Sequence, residues 1–73
     1  MKFEFGDSTT KIWAGEFVHT CEFISHYHNG TMIFYDIDSK VFRLVYWEYK
    51  DTEFTLNGWK CYNSLQDLLK SNK

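Results

Sequence analysis

Aromatic side chains outnumber aliphatic ones in this chain, where seven Phe, five Tyr and three Trp stand among 73 residues and proline is absent. A domain of this size buries only about 60% of the surface that its unfolded chain exposes. A core that must also hold the Ile, Leu and Val side chains therefore leaves some rings at the surface. Large exposed rings commonly serve contact with another molecule, since Tyr, Trp and Arg dominate binding hot spots.

The length fits a single domain, residues 1–73, near the lower limit for folding without disulfides, metal or a partner subunit. No stretch approaches the ~20 consecutive apolar residues of a membrane span. The segment that follows Met1 also lacks the apolar run of a secretory signal. We therefore expect a cytoplasmic chain with no membrane partner, in which Cys21 and Cys61 are reduced thiols.

Ten acidic residues against eight basic ones give a formal charge of −2, and the basic residues are dispersed along the chain. That sign is wrong for a protein that wraps phosphates, so we do not expect nucleic-acid binding. Exposed rings could still stack the bases of a single strand, but such platforms pair their rings with a basic groove. The abundance of Lys, Phe, Tyr, Ile and Asn is typical of AT-rich genes, as in a low-GC bacterium or its phage, and is compatible with a phage or mobile-element accessory protein.

Turn signals divide the chain into short segments rich in β-branched and aromatic residues, which favours strands over helices. The clearest turns are Gly6-Asp7-Ser8-Thr9, Asn29-Gly30, Asp38-Ser39 and Asn57-Gly58. The pattern predicts strands near 2–5, 10–14, 17–28, 31–37, 41–49 and 53–56, with a short piece at 59–62. A break at Ala14-Gly15 is expected, because one strand from Thr10 to His28 would be about 60 Å long at ~3.3 Å per residue.

An alternative for residues 14–28 is a helix, since apolar side chains recur there at helical spacing and Gly30 could end it. The segment is poor in strong helix formers, which favours the strand. The carboxyl end is clearer. Asn63 or Ser64 can cap a helix over residues 64–71, in which Leu65, Leu68 and Leu69 form an apolar stripe.

Hairpin register predicts which side chains share a face of the sheet. A two-residue turn at Asn29-Gly30 would place Tyr27 opposite Met32, and a turn at Asp38-Ser39 would place Phe34 opposite Arg43. One face then reads as the core: Ile24, Ile33, Tyr35, Ile37, Phe42, Leu44 and Tyr46. The opposite face is apolar as well: Phe23, Tyr27, Met32, Phe34, Val41, Arg43, Val45, Trp47 and Tyr49. Both faces of the predicted sheet therefore need cover.

The carboxyl-terminal helix can cover one face, and two interpretations remain for the other. The sheet could curl into a small barrel, with rings of the amino-terminal strands closing over that face: Phe3, Phe5, Trp13 and Phe17. Alternatively, part of the face stays open as a docking surface. The predicted partner-binding residues are Tyr27, Phe34, Arg43, Trp47 and Tyr49, because an aromatic patch with one arginine is typical of a binding hot spot.

Chemical motifs are scarce. His19, Cys21, His26, His28 and Cys61 are metal-ligand types, but their spacing matches no specific zinc pattern. On one continuous strand, His19 and Cys21 would also point away from His26 and His28. No nucleophile elbow or phosphate-binding glycine loop is present. We therefore expect no catalytic residues, no metal and no cofactor.

The sequence predicts an α+β domain, a small antiparallel β-meander of about five strands with one C-terminal α-helix packed on one face. The predicted function is that of a non-catalytic protein-binding module, a stoichiometric inhibitor or adaptor that docks on a larger protein through an aromatic sheet face. The alternative is a homodimeric structural protein that self-associates through the same face or an unpaired edge strand. Single-stranded nucleic-acid binding and metal binding are more distant alternatives.

Overall fold

A computed structural model describes residues 1–72 of the chain. Six strands are followed by one short helix, in place of the roughly five strands predicted. The strands are β1 (Lys2–Phe5), β2 (Thr10–Ala14), β3 (Phe17–His26), β4 (Thr31–Asp36), β5 (Val41–Lys50) and β6 (Glu53–Tyr62), and the helix is α1 (Leu65–Ser71). All six strands form one antiparallel sheet in which spatial order follows chain order. The predicted meander with a C-terminal helix is confirmed.

The helical alternative for residues 14–28 is wrong, because this segment contains a hairpin. Ala14 lies opposite Phe17, so only Gly15 and Glu16 join β2 to β3. Gly15 has φ +66°, the left-handed conformation that glycine adopts without a Cβ penalty at a tight hairpin. The break expected at Ala14-Gly15 is therefore confirmed.

The predicted register of the β4–β5 pair is correct, with Phe34 opposite Arg43. The predicted β3–β4 register is wrong. His26, rather than Tyr27, lies opposite Met32, and the register shifts again between Phe23 and Ser25 because Ile24 is an extra residue in a β-bulge. The loop is longer than two residues, since the Tyr27 amide donates to the Thr31 carbonyl at 3.1 Å and residues 28–30 lie between them.

A second register shift lies in the last hairpin. Tyr46 lies opposite Gly58 and Trp47 opposite Leu56, so Asn57 is the additional residue on β6. The bulge lets one strand run from Glu53 to Tyr62, where the sequence had predicted two shorter pieces. Bulges of this kind bend a strand and increase its twist. The sheet curls accordingly into a half-barrel.

The curl brings the two edge strands towards each other on the inside of the sheet. The amino group of Met1 donates to the Leu56 carbonyl at 2.7 Å, and the Phe3 and Phe54 rings meet edge to face with centroids 5.4 Å apart. The inner, concave face holds the larger core cluster: Ile12, Cys21, Met32, Phe34, Val45 and Leu56. The predicted core face is thus the outer one, while the face proposed for docking supplies most of the interior.

Helix α1 covers the outer, convex face of the sheet, where Leu68 packs with Ile33 and Leu44 in a second core cluster. Ser64 caps its amino terminus, since the Ser64 hydroxyl accepts a hydrogen bond from the Asp67 amide at 3.1 Å. The predicted helix over residues 64–71 is confirmed. Within residues 1–72, no helix has the length and apolar character needed to cross a membrane.

Candidate functional site

The structure does not bring the five predicted partner-binding residues together on one open surface. Phe34 is 0% exposed, at the centre of the concave core. Trp47 is half-buried in the same core, whereas Tyr27 packs on the outer face beneath the helix. Tyr49 is 64% exposed near the end of β5. Arg43 turns inward to an ion pair. Phe34 and Arg43 are therefore interior residues, and the predicted patch is not formed as one surface.

Barrel closure explains most of this difference. Phe3 packs against the concave core, as the closure interpretation expected. The other amino-terminal rings behave differently: Phe5 and Phe17 stay exposed, and Trp13 carries the Lys2 ammonium over its ring at 5.1 Å. Closure is therefore partial, and it leaves rings exposed at the rim of the half-barrel.

A buried polar cluster sits inside the half-barrel around Asp36. The Asp36 carboxylate is fully buried and accepts hydrogen bonds from His19 Nδ1 at 2.8 Å, Arg43 Nε at 2.9 Å and the Ser39 amide at 3.1 Å. The Arg43 guanidinium also lies 4.2 Å from the centroid of the Trp59 ring, a cation–π contact. His19 meets the same ring edge to face at 4.9 Å. Three strands and one turn are thereby tied to a single carboxylate.

Electrostatics fix the charge state of this cluster. Burial alone would raise the pKa of Asp36, but the hydrogen bonds from Ser39, Arg43 and His19 outweigh it and hold the pKa below its ordinary value of 3.8. The pKa of the neighbouring Cys21 thiol is raised to about 12, first by burial and then by the Asp36 charge. A thiol with so high a pKa is a poor nucleophile. The cluster is built as a structural ion pair.

Metal-ligand residue types do not converge anywhere in residues 1–72: no group of three or more His, Cys, Asp or Glu side chains is placed to hold an ion. His19 is committed to Asp36, and His28 Nε2 lies 3.1 Å from the Asn72 carbonyl oxygen. His26 instead faces an aromatic groove. The five potential ligands named from the sequence are thus dispersed.

An apolar groove opens at the rim of the half-barrel, with a volume of about 310 Å³. Its lining residues are Phe5, Phe23, His26, Met32 and Phe54. Phe5 is 55% and Phe23 is 43% exposed, although each packs its ring edge against an aromatic neighbour. We call this feature the rim groove. Two of its side chains, Phe5 and Phe23, are large apolar groups that the fold leaves partly in solvent.

Sequence reasoning missed the rim groove for two reasons. Phe5 was expected to close over the barrel, and the β3–β4 register did not allow for the bulge at Ile24. The bulge matters because it sets Phe23 and His26 on the same side, where their ring centroids are 5.3 Å apart. A signal was present in the lengths of the predicted strands. A β3 strand that extends past residue 25 is longer than its five-residue partner β2, so part of its edge is left unpaired.

The chain was compared with protein-family models, with curated proteins and with solved structures, and none of the three comparisons found a match.

Proposed function

We propose that this chain is a small non-catalytic protein-binding module, a stoichiometric inhibitor or adaptor that docks on a larger protein through the rim groove. The single observation that carries the proposal is the exposure of Phe5 and Phe23 beside the groove. Two phenylalanines held in water next to a well-formed core lose hydrophobic stabilisation that burial against a partner would recover.

The charge distribution favours a protein over a nucleic acid as the partner. Arg43 is the single arginine of the sequence, and its guanidinium is bound to Asp36 and stacked on Trp59. It is therefore not free to hold a phosphate. The groove itself contributes rings, a thioether and one imidazole, which suit an apolar side chain of a protein partner.

A matched pair of substitutions tests the proposal. Phe23→Ser removes a ring from the rim groove, while Phe17→Ser removes an equally large ring that is 75% exposed on the same strand. Six residues separate the two positions, roughly 20 Å along a strand. Both variants should fold, because neither ring belongs to a core cluster.

The assay is affinity capture from a lysate of a plausible host, followed by titration of the purified target. We expect Phe23→Ser to lose the target that the wild-type chain and Phe17→Ser both retain at a 1:1 ratio. Equal capture by the two variants would remove the groove from consideration. A second apolar surface lies on α1 around Leu65 and Leu69, and Leu69 is exposed there. A Leu69→Ser variant controls for binding through this surface.

Self-association is the competing proposal and has its own readout. Sedimentation of the purified chain at micromolar concentration distinguishes a monomer from a dimer. A monomer that gains mass only with the captured target supports the module. A dimer that Phe23→Ser dissociates would assign the groove to a second copy of the chain.

A further inference from the structure

Part of β3 has no neighbour on one side. β2 pairs with β3 only as far as Thr10 opposite Cys21, and the chain then turns away through residues 6–9. Residues Glu22–His26 continue beyond that point, and within residues 1–72 they pair only with β4. Five residues of open edge, about 16 Å at ~3.3 Å per residue, therefore lie beside the rim groove. An open edge of this kind is a template for another strand.

The hydrogen-bonding pattern shows which backbone groups are free. The Thr20 carbonyl accepts from the Ile37 amide at 3.0 Å, so the backbone of Thr20 faces the β4 side. Backbone groups of successive residues alternate between the two neighbours of a strand. Glu22 therefore faces β4, whereas the amide and carbonyl of Phe23 face the open edge. The same residue thus offers a free backbone pair and an exposed ring next to the groove.

Charge at the open edge is acidic. Glu22 lies on the edge itself and Asp7 in the turn that ends β1, and both are exposed. Neither forms a salt bridge with any residue in the described range 1–72. Lys11 in β2 lies directly opposite Glu4, as an opposite-charge cross-strand pair. A partner segment that carries Lys or Arg would therefore be complementary to this edge.

Resting on the proposed function, we infer that the rim groove binds an extended segment of the partner protein that adds as a strand to β3 along Glu22–His26. An apolar side chain of the segment enters the groove between Phe5 and Phe23, and flanking Lys or Arg side chains face Asp7 and Glu22. Backbone pairing supplies affinity and the groove supplies selectivity, as in other cases of strand addition. The bulge at Ile24 limits pairing to a short segment, which disfavours sheet-to-sheet aggregation.

The test separates backbone pairing from side-chain contact. Random linear 12-residue peptides are selected on the wild-type chain by display, and a synthetic peptide of the enriched consensus becomes the probe. The chain is then assembled by ligation at Cys21 with an N-methyl group on the Phe23 amide, which removes one donor and keeps the ring. A chain N-methylated at Asp38, in the exposed β4–β5 turn, is the matched control.

We expect enriched peptides that alternate apolar and polar residues and carry Lys or Arg. N-methylation at Phe23 should weaken probe binding at least about tenfold, and N-methylation at Asp38 less than about twofold. Urea unfolding of both chains checks that the fold is kept, since the Phe23 amide has no partner to lose in the free protein.

Four results would overturn the inference. Enriched peptides whose apolar residues recur at helical spacing would indicate that the groove binds a helix and not an added strand. Wild-type affinity of the N-methyl-Phe23 chain for the probe would reject backbone pairing. If Phe23→Ser still abolished binding in that case, the proposed function of the groove would be kept without strand addition. Protection of the Phe23 amide from hydrogen exchange without any peptide, together with a dimer in sedimentation, would make a second copy the occupant. Failure of both the selection and the capture assay would reject the groove and the strand together.

Discussion

The buried carboxylate of Asp36 offers the sharpest test of how this small domain is held together. Asp36→Asn keeps the shape of the side chain but removes its charge and replaces one acceptor oxygen with an NH2 donor, so that the three donors around it face one remaining acceptor oxygen. Arg43 would be left in the interior without a counter-ion. Removing one partner of a buried pair typically costs about 3–5 kcal/mol. We expect about 3 kcal/mol here, at the lower end of that range, because the Arg43 side chain retains 12% exposure to water.

That loss is large for a chain of this length. At 0.05–0.15 kcal/mol per residue, the whole domain is stable by roughly 4–11 kcal/mol. A change of about 3 kcal/mol should lower Tm by roughly 12–24 °C. Urea unfolding followed by tryptophan fluorescence measures the change directly, since Trp59 packs on both Arg43 and His19. The urea concentration at the unfolding midpoint should fall, while the dependence of the unfolding free energy on urea concentration stays constant.

Two further variants make the Asp36 experiment decisive. Asp38→Asn, at an exposed position in the turn that follows Asp36, should change stability by less than about 0.5 kcal/mol. Adding Arg43→Met to Asp36→Asn should recover part of the loss, because no uncompensated charge then remains inside. A loss below about 1 kcal/mol for Asp36→Asn, or simple additivity in the double variant, would refute the view that the ion pair organises the interior.

Further predictions concern pH, thiol reactivity and local backbone structure. Because the pKa of Asp36 is lower in the folded chain than its ordinary value of 3.8, its contribution to stability is complete above that value and is lost as pH falls through the folded pKa. Acid titration of the unfolding free energy should therefore be flatter for Asp36→Asn than for the wild type below about pH 5. A thiol reagent at pH 8 should label exposed Cys61 and leave Cys21 unreacted until denaturant is added, since burial raises the pKa of Cys21 to about 12; rapid double labelling of the native chain would contradict this. Thr52→Gly should stabilise the β5–β6 hairpin by about 1 kcal/mol, because Thr52 has φ +64° in a turn that favours Gly, and a lower Tm would show that no strain is stored there. Ser64→Ala should cost about 1 kcal/mol by removing the helix cap, with helix content followed by circular dichroism, and an unchanged Tm would show that the cap contributes nothing.

Local signals in the sequence were sufficient for much of the fold. The glycine at position 15 broke the long β segment where expected, and the Asp38-Ser39 turn set the correct β4–β5 register. Ser64 marked the start of the helix. Each of these features depends on a few neighbouring residues, so each could be predicted without knowledge of the rest of the chain.

The candidate site was less predictable because it depends on contacts between distant strands. An excess of aromatic residues correctly indicated that some rings would remain exposed, as Phe5, Phe17 and Phe23 do. It did not indicate which rings. Phe34 was expected at the surface, yet the strands on either side of it curl and enclose it completely.

The sequence by itself determined that the sheet is antiparallel, that a helix follows it and that two apolar faces need cover. Only the tertiary structure decided which face became the interior. Alternation along a strand assigns residues to two faces but does not state which face is concave, because curvature arises from twist accumulated over all six strands and from the bulges at Ile24 and Asn57. The same curvature enclosed Asp36 with Arg43 and left Phe5 and Phe23 at the rim.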